Sequence, residues 1–178
     1  MKTLPVFRQT RASASYQTGI DTSQPLRNAL LRFKYARDLR AGAYLATLST
    51  AHFPLSHQDY DATLPVPLLI DPLRWRGFNQ SRLLARAIGK RWVLPLDPLL
   101  LIRTRPTPPQ TQLDKESRRA NVRKAFHVDS PTQVQGKKLL LVDDVYTSGA
   151  TVEECARTLY HGGARVVDVF TLTGAVDL

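Results

Sequence analysis

Two adjacent carboxylates followed by small, hydroxyl-bearing residues form the densest chemical grouping of this chain. They stand in the run Leu139-Leu140-Leu141-Val142-Asp143-Asp144-Val145-Tyr146-Thr147-Ser148-Gly149-Ala150-Thr151. Four large aliphatics in a row read as a strand buried on both faces. Asp143 and Asp144 end that strand, and the carboxyl ends of parallel strands are where open α/β sheets place ligands. Thr147, Ser148, Gly149, Ala150 and Thr151 then open a helix, whose first N–H groups lack internal partners and carry the positive end of its dipole. Small side chains let a phosphate approach those amides, and hydroxyls add hydrogen bonds. Carboxylates repel phosphate but accept hydrogen bonds from vicinal ribose hydroxyls. The spacing therefore suits a sugar phosphate, with its hydroxyls on Asp143 and Asp144 and its phosphate on the helix start. Either carboxylate can also hold Mg²⁺, directly or through water.

Three other roles for such a run suit these residues less well. Response-regulator receivers carry an acidic pair after a strand near the domain start, with most of the sheet following; here only Val145 to Leu178 follow. A Walker B strand requires a P-loop, and no Gly-x-x-x-x-Gly-Lys-Ser/Thr occurs in the chain. A structural βα turn accounts for Gly149 but not for paired aspartates with consecutive hydroxyls.

The elements that must position this run are legible in outline. Gly149 to Tyr160 reads as a helix stopped by Gly162-Gly163, and Arg165 to Thr171 as a second strand. Strand, helix, strand is a βαβ unit and implies a parallel sheet. Upstream, Asp21-Thr22-Ser23 offers helix caps and Pro25 a first-turn residue. Leu26, Ala29, Leu30 and Phe33 follow at helical spacing, and a second helix runs from about Ala41 to Ala51. Thr63 to Leu68 is a short strand with a proline exit, hence an edge strand or a strand end. Leu73 to Ser81 reads as a loop, Leu83 to Ile88 as helix and Leu99 to Ile102 as strand. Arg103 to Thr111 is a proline-rich exposed loop and Leu113 to Lys124 a solvated helix. Residues 1–22 form a polar N-terminal arm and 23–178 one α/β domain.

The chain has 178 residues and a net charge of +10, a balance that favours anionic partners. Cys155 is its one cysteine, so no internal disulfide and no cysteine-based zinc site can form. No apolar stretch is long enough for a signal peptide or a membrane span. The expected location is the cytoplasm, without membrane insertion. None of the four histidines has a partner at metal or catalytic spacing, and Cys155 reads as packed rather than nucleophilic.

The run from Leu139 resembles the 5-phosphoribosyl 1-diphosphate (PRPP) signature of type I phosphoribosyltransferases. Pro65-Val66-Pro67, Arg76-Gly77-Phe78-Asn79-Gln80-Ser81, Arg103-x-Arg105-x-Thr107, Gln110, Arg118, Asn121 and Phe126 narrow the resemblance to the ComF-type (competence protein F, GntX-like) family, over about Leu26 to Thr173. The resemblance implies a type I phosphoribosyltransferase fold: a central, mainly parallel sheet flanked by helices, with a small hood. It implies PRPP or another phosphoribosyl compound as ligand, with Mg²⁺, and a link to DNA uptake in natural transformation. Asp143 and Asp144 would hold the ribose, and Thr147, Ser148, Gly149, Ala150 and Thr151 the 5-phosphate. Family members often begin with a four-cysteine zinc module; this chain lacks those cysteines, so no zinc is expected.

From Arg74 to Lys124 there are thirteen Lys or Arg against three acids. Such a segment suits diphosphate, nucleic acid or both. Arg76 is the first candidate for the diphosphate, with Arg103 and Arg105 behind it, because arginine contacts phosphate oxygens in pairs. Arg74, Trp75, Arg118 and Arg119 are candidates for single-stranded DNA. Trp92 reads as core, and Phe78 as either core or a stacking residue. Two functions stay open: a phosphoribosyltransferase with unknown acceptor, or a non-catalytic DNA-binding protein or PRPP-sensing regulator on the same scaffold.

Overall fold

The computed structural model describes residues 9–12, 25–36, 38–51, 60–68, 78–106, 115–146 and 148–173, with the backbone alone for 9–12, 25–27, 115, 116, 118 and 173. Its centre is a four-stranded parallel sheet in the order β1-β6-β5-β2, built from β1 (Gln9–Ala12), β2 (Ala62–Pro65), β5 (Lys138–Val145) and β6 (Val166–Thr173). The helix α6 (Ala150–His161) connects β5 to β6, which is the expected βαβ unit. Gly162 and Gly163 follow it directly.

Parity along β5 explains how the core is divided. Successive side chains of a strand point to opposite faces. Leu139 and Leu141 join Val167 and Val169 of β6 on one face, under Val152, Cys155, Ala156 and Leu159 of α6. Leu140 and Val142 join Phe170 and Leu172 on the other face. That second face is covered by α1 (Pro25–Tyr35), α2 (Leu39–Ala51) and α3 (Gln80–Trp92), through Leu30, Phe33, Leu45, Leu84 and Ile88. All four β5 aliphatics have no exposed surface. Each such burial stabilises by about 1.5–3 kcal/mol before entropy is charged.

Outside the sheet, β3 (Leu101–Arg103) pairs antiparallel with β4 (Phe126–Val128), with α4 (Lys115–Val122) between them in sequence and the short α5 (Pro131–Val134) after them. The β3–β4 pair lies on the α6 side, where Leu101, Phe126 and Val128 enter the first core.

Several boundaries differ from the sequence reading. The strand does not stop before the acids: β5 runs through Asp143 and Asp144 to Val145, because Asp143 and Val145 still pair with Thr171 and Thr173. The loop read to Ser81 ends earlier. Asn79 caps α3 by accepting the amide of Arg82, so Gln80 and Ser81 are already helical. Arg103 belongs to β3 rather than to the following loop. The strand β4 gives no sequence signal, since Phe126-His127-Val128 is too short for alternation to stand out. Within the stretch read as a polar arm, β1 adds to the sheet beside β6. Phe78 is a packing residue, stacked on Phe33 with ring centroids 5.0 Å apart, and Trp92 packs against the second core as expected.

Candidate functional site

The alternation that divides the core also divides the acidic pair. Asp143 continues the row of Leu139 and Leu141 and faces α6; Asp144 continues the row of Leu140 and Val142 and faces α1. Asp143 lines a small pocket with Val145, Tyr146, Gly149, Ala150, Thr151 and Val152. Asp144 lies on the opposite side, 8 % exposed, with its Oδ2 3.0 Å from Nζ of Lys34. The attraction of this ion pair is chiefly Coulombic, with a smaller hydrogen-bond contribution.

Each carboxylate is held differently. Asp143 Oδ1 accepts from Ser81 Oγ at 2.8 Å and from the Asp144 amide at 2.9 Å. The residue keeps some solvent contact, yet its carboxyl is enclosed enough that burial pushes its pKa up to about 7. The neighbouring Asp144 charge pushes the same way; Ser81, the Asp144 amide and Lys34 oppose them. On Lys34, burial pulls the ammonium down, but the charges of Asp144 and Asp143 more than offset it and hold it above its usual value. The site thus keeps one cation and two carboxylates in a partly dry setting.

Lys34→Met tests that balance. It leaves Asp144 enclosed without its counter-charge. The expected loss is about 2 kcal/mol, below the ~3–5 kcal/mol of a fully enclosed pair because Lys34 still touches solvent. Denaturant titration at neutral pH should show it.

The helix-start side of the site is built on Gly149. It is the N-cap of α6 with φ 78°, in the left-handed region that glycine tolerates. Its carbonyl accepts the Glu153 amide at 2.9 Å and closes the first helical turn. Ser148 Oγ lies 3.5 Å from the Ala150 amide. Tyr146 folds over the glycine: a Cβ built there would stand 2.8 Å from Tyr146 Cζ. The pocket beneath holds about 20 Å³, room for one water. A group larger than a water therefore fits only if the Tyr146 ring is displaced.

The Asn79-Gln80-Ser81 segment serves the site by positioning it. Asn79 caps α3 and donates from Nδ2 to the Val66 carbonyl at 3.0 Å, tying the helix start to the exit of β2. Ser81 then reaches Asp143. Gln80 is buried, with no partner for Nε2 among the described residues.

The basic candidates separate. Arg103, at the end of β3, lies over the Phe126 ring, 5.5 Å from its centroid. Burial lowers its pKa, and the Cys155 and Asp143 groups oppose that shift, so it lies within the field of the acidic site. Arg105 instead donates from Nη2 to the carbonyls of Asn121 and Arg123, at 2.8 Å each, and closes the end of α4. Arg119 is exposed, 3.5 Å from Glu153. Arg118 is on α4, its side chain outside the described residues. Arg74, Trp75, Arg76 and Thr147 also lie outside them. Cys155 is fully buried in the first core, and burial raises its thiol well above the usual value. Among the described residues no three His, Cys, Asp or Glu side chains gather as a metal cluster, and no helix is long and apolar enough to cross a membrane.

Sequence reasoning misses Lys34 and Tyr146. Lys34 has one available signal: it follows Leu30 by four residues, so it sits on the apolar stripe of α1, where an unpaired cation is costly.

No protein-family profile matches the chain. Among curated proteins it is 33% identical over 160 residues to the DNA utilization protein YhgH of Escherichia coli O157:H7, covering 87% of this chain and 70% of that one. It is 30% identical over 158 residues to competence protein F of Haemophilus influenzae, covering 85% of this chain and 69% of the relative. Solved structures that overlay on it include glutamine PRPP amidotransferase from B. subtilis, with a TM-score of 0.45 at 22% identity over 73% of this chain and 24% of that one. A purine phosphoribosyltransferase from Pyrococcus horikoshii gives a TM-score of 0.39 at 13% identity, over 77% of this chain and 81% of the other. The chain belongs to the ComF-type family of competence protein F and the DNA utilization protein YhgH.

Proposed function

We propose that the chain binds PRPP with Mg²⁺ at the carboxyl end of β5 and serves DNA uptake, as the names of its relatives suggest. One observation carries the site: the Asp143 carboxylate, left-handed Gly149 and the start of α6 line a single pocket. The 5-phosphate lies on the first amides of α6, with hydroxyls from Thr147, Ser148 and Thr151. Asp143 Oδ1 is already engaged, so Oδ2 accepts a ribose hydroxyl. Asp144 meets the second hydroxyl by parting from Lys34.

The diphosphate falls to the arginines. Arg103 lies in the field of Asp143 and takes one side of it; Arg76, outside the described residues, stays a candidate by sequence; Arg105, committed to α4, contributes least. An oxygen donor such as Asp143 suits a hard cation that keeps most of its water, and Mg²⁺ when bound neutralises the diphosphate. Transfer breaks the bond between ribose C1 and the diphosphate oxygen, and the electron pair leaves with diphosphate. The acceptor's nucleophile bonds to C1 and gives up a proton. Asp143 and Asp144 fix the ribose and favour the positive charge that builds on it.

Titration calorimetry with PRPP and Mg²⁺ tests the binding. Wild type should bind saturably, and the Asp143→Ala/Asp144→Ala double variant should lose it; unchanged affinity in that variant would refute the site. Diphosphate release, measured with and without candidate bases, separates the two functional classes. Binding without release identifies a PRPP-sensing or DNA-handling protein rather than a transferase.

A further inference from the structure

A second cleft opens beside the phosphate loop. It lies between α4 and α6, encloses about 680 Å³, and is lined by Arg119, Ala120, Arg123, Ala150, Glu153, Glu154 and Arg157. Ala150 lines the small pocket as well, so the two spaces flank the same residue at the start of α6. The volume falls in the range of ordinary ligand sites.

The charges of the cleft are unequally committed. Glu154 is 7 % exposed, and its Oε1 accepts the Lys124 amide at 2.8 Å, where Lys124 turns with a left-handed φ of 55°. That carboxylate is spent on closing the exit of α4. Its other oxygen lies 3.4 Å from Arg157, and Arg119 lies 3.5 Å from Glu153, both long contacts on arginines about half exposed. Such pairs hold a guanidinium weakly and leave its other donors free. Arg123 is exposed and makes no ion pair among the described residues. Ala120 and Ala150, with the smallest side chains of the lining, let a ligand's backbone come close to the helices.

We propose that the cleft between α4 and α6 is a track for the phosphate backbone of single-stranded nucleic acid, held by Arg119, Arg123 and Arg157. This rests on the DNA-uptake part of the functional reading and is independent of PRPP binding. Three arginines, Arg119 on α4, Arg123 in the turn after it and Arg157 on α6, suit several successive phosphates better than one, because each guanidinium meets a phosphate oxygen pair in its own plane. A recessed groove admits a flexible strand whose phosphates turn inward, whereas a duplex is too stiff to follow it. Binding here is non-specific in sequence, driven by the release of counterions.

The test uses fluorescence anisotropy with labelled oligothymidylate across a salt series, on the full chain. Wild type should bind, with log affinity falling linearly against log salt. Arg119→Gln, Arg123→Gln and Arg157→Gln should each weaken binding and flatten the slope by about 0.7, and the triple variant by about 2. Glu153→Gln should strengthen binding, which a damaged fold would not do. PRPP affinity and the melting temperature, read in parallel, should stay near wild type in all of these variants. Loss of PRPP binding in wild type would overturn the PRPP site while leaving this surface intact.

Three results would overturn the track: absence of oligothymidylate binding to wild type at low salt, an unchanged slope in the triple variant, or equal affinity for a matching duplex. Binding of inorganic diphosphate that depends on the three arginines, without oligothymidylate binding, would make the cleft a small-anion site and equally refute the proposal.

Discussion

Asp143→Asn should stabilise the ligand-free protein and abolish its PRPP binding in one step. In the folded chain the Asp143 carboxyl is pushed up to about 7, first by burial and then by the Asp144 charge, from an ordinary 3.8. Between those values the folded state holds a proton that the unfolded state has released. Stability therefore falls as pH rises from about 4 to 7, and the loss is complete above the folded pKa. A shift of that size corresponds to about 4 kcal/mol at neutral to alkaline pH. Asparagine removes the charge but weakens the bonds from Ser81 and the Asp144 amide, returning about 2 kcal/mol. The net gain is about 2 kcal/mol at pH 8, or roughly 4–8 °C in melting temperature. Below pH 4 the gain should vanish, since wild-type Asp143 is then neutral as well. For PRPP, an amide donates where a ribose hydroxyl must donate, so affinity should fall at least about 100-fold, or ~2.7 kcal/mol. Melting curves from pH 4 to 8 with parallel calorimetry check both halves. A variant no more stable than wild type at pH 8 would show that the carboxylate is not strained; one that binds PRPP normally would remove Asp143 from the site.

That trade-off bears on what the sequence reveals. The location of the site is legible because Leu139 to Val142 is a strand by composition alone and Gly149 to Thr151 a helix start by size alone. The βαβ unit follows from those two readings, and β6 and its parallel pairing come with it. The division of labour between Asp143 and Asp144 is not drawn from the pattern. It follows from strand parity, which requires knowing that β5 continues through both residues, and the run of four aliphatics suggests instead a strand that ends before them. Ser81 and Lys34 stand 62 and 110 residues from the carboxylates they meet, and spacing carries no information over such distances. Arg105 gains too much weight from sequence for a related reason. Its partners are backbone carbonyls at the end of α4, and a helix terminus that needs closing leaves no mark on the arginine itself. The charge of the Arg74 to Lys124 segment is plain, but the sequence does not show that Arg119 and Arg123 face Arg157, from a helix outside the segment, across one cleft.

Gly149→Ala should damage both the fold and the site, for two reasons that can be separated. Its φ of 78° places the chain in the left-handed region, where a Cβ costs about 1–2 kcal/mol. In addition, the methyl would stand 2.8 Å from Tyr146 Cζ and 3.2 Å from Cε2, so the ring must leave its seat on the first core. Crowding of that kind adds about 1 kcal/mol. The expected sum is about 2–3 kcal/mol. In a Tyr146→Ala background the second part disappears, and the same substitution should cost only the backbone part, about 1–2 kcal/mol. The double-mutant cycle thus measures the Tyr146 contact directly. Ligand binding does not rescue the variant. On the proposed reading, a phosphate that displaces Tyr146 takes over the space beside residue 149 and meets the added methyl in place of the ring. The glycine is therefore required in the closed arrangement by the ring and in the occupied one by the ligand. PRPP affinity should drop by more than about tenfold, or ~1.4 kcal/mol, in either background. Recovery of PRPP binding by Tyr146→Ala would show that the ring alone, and not the approach of phosphate to the helix, demands glycine at this position.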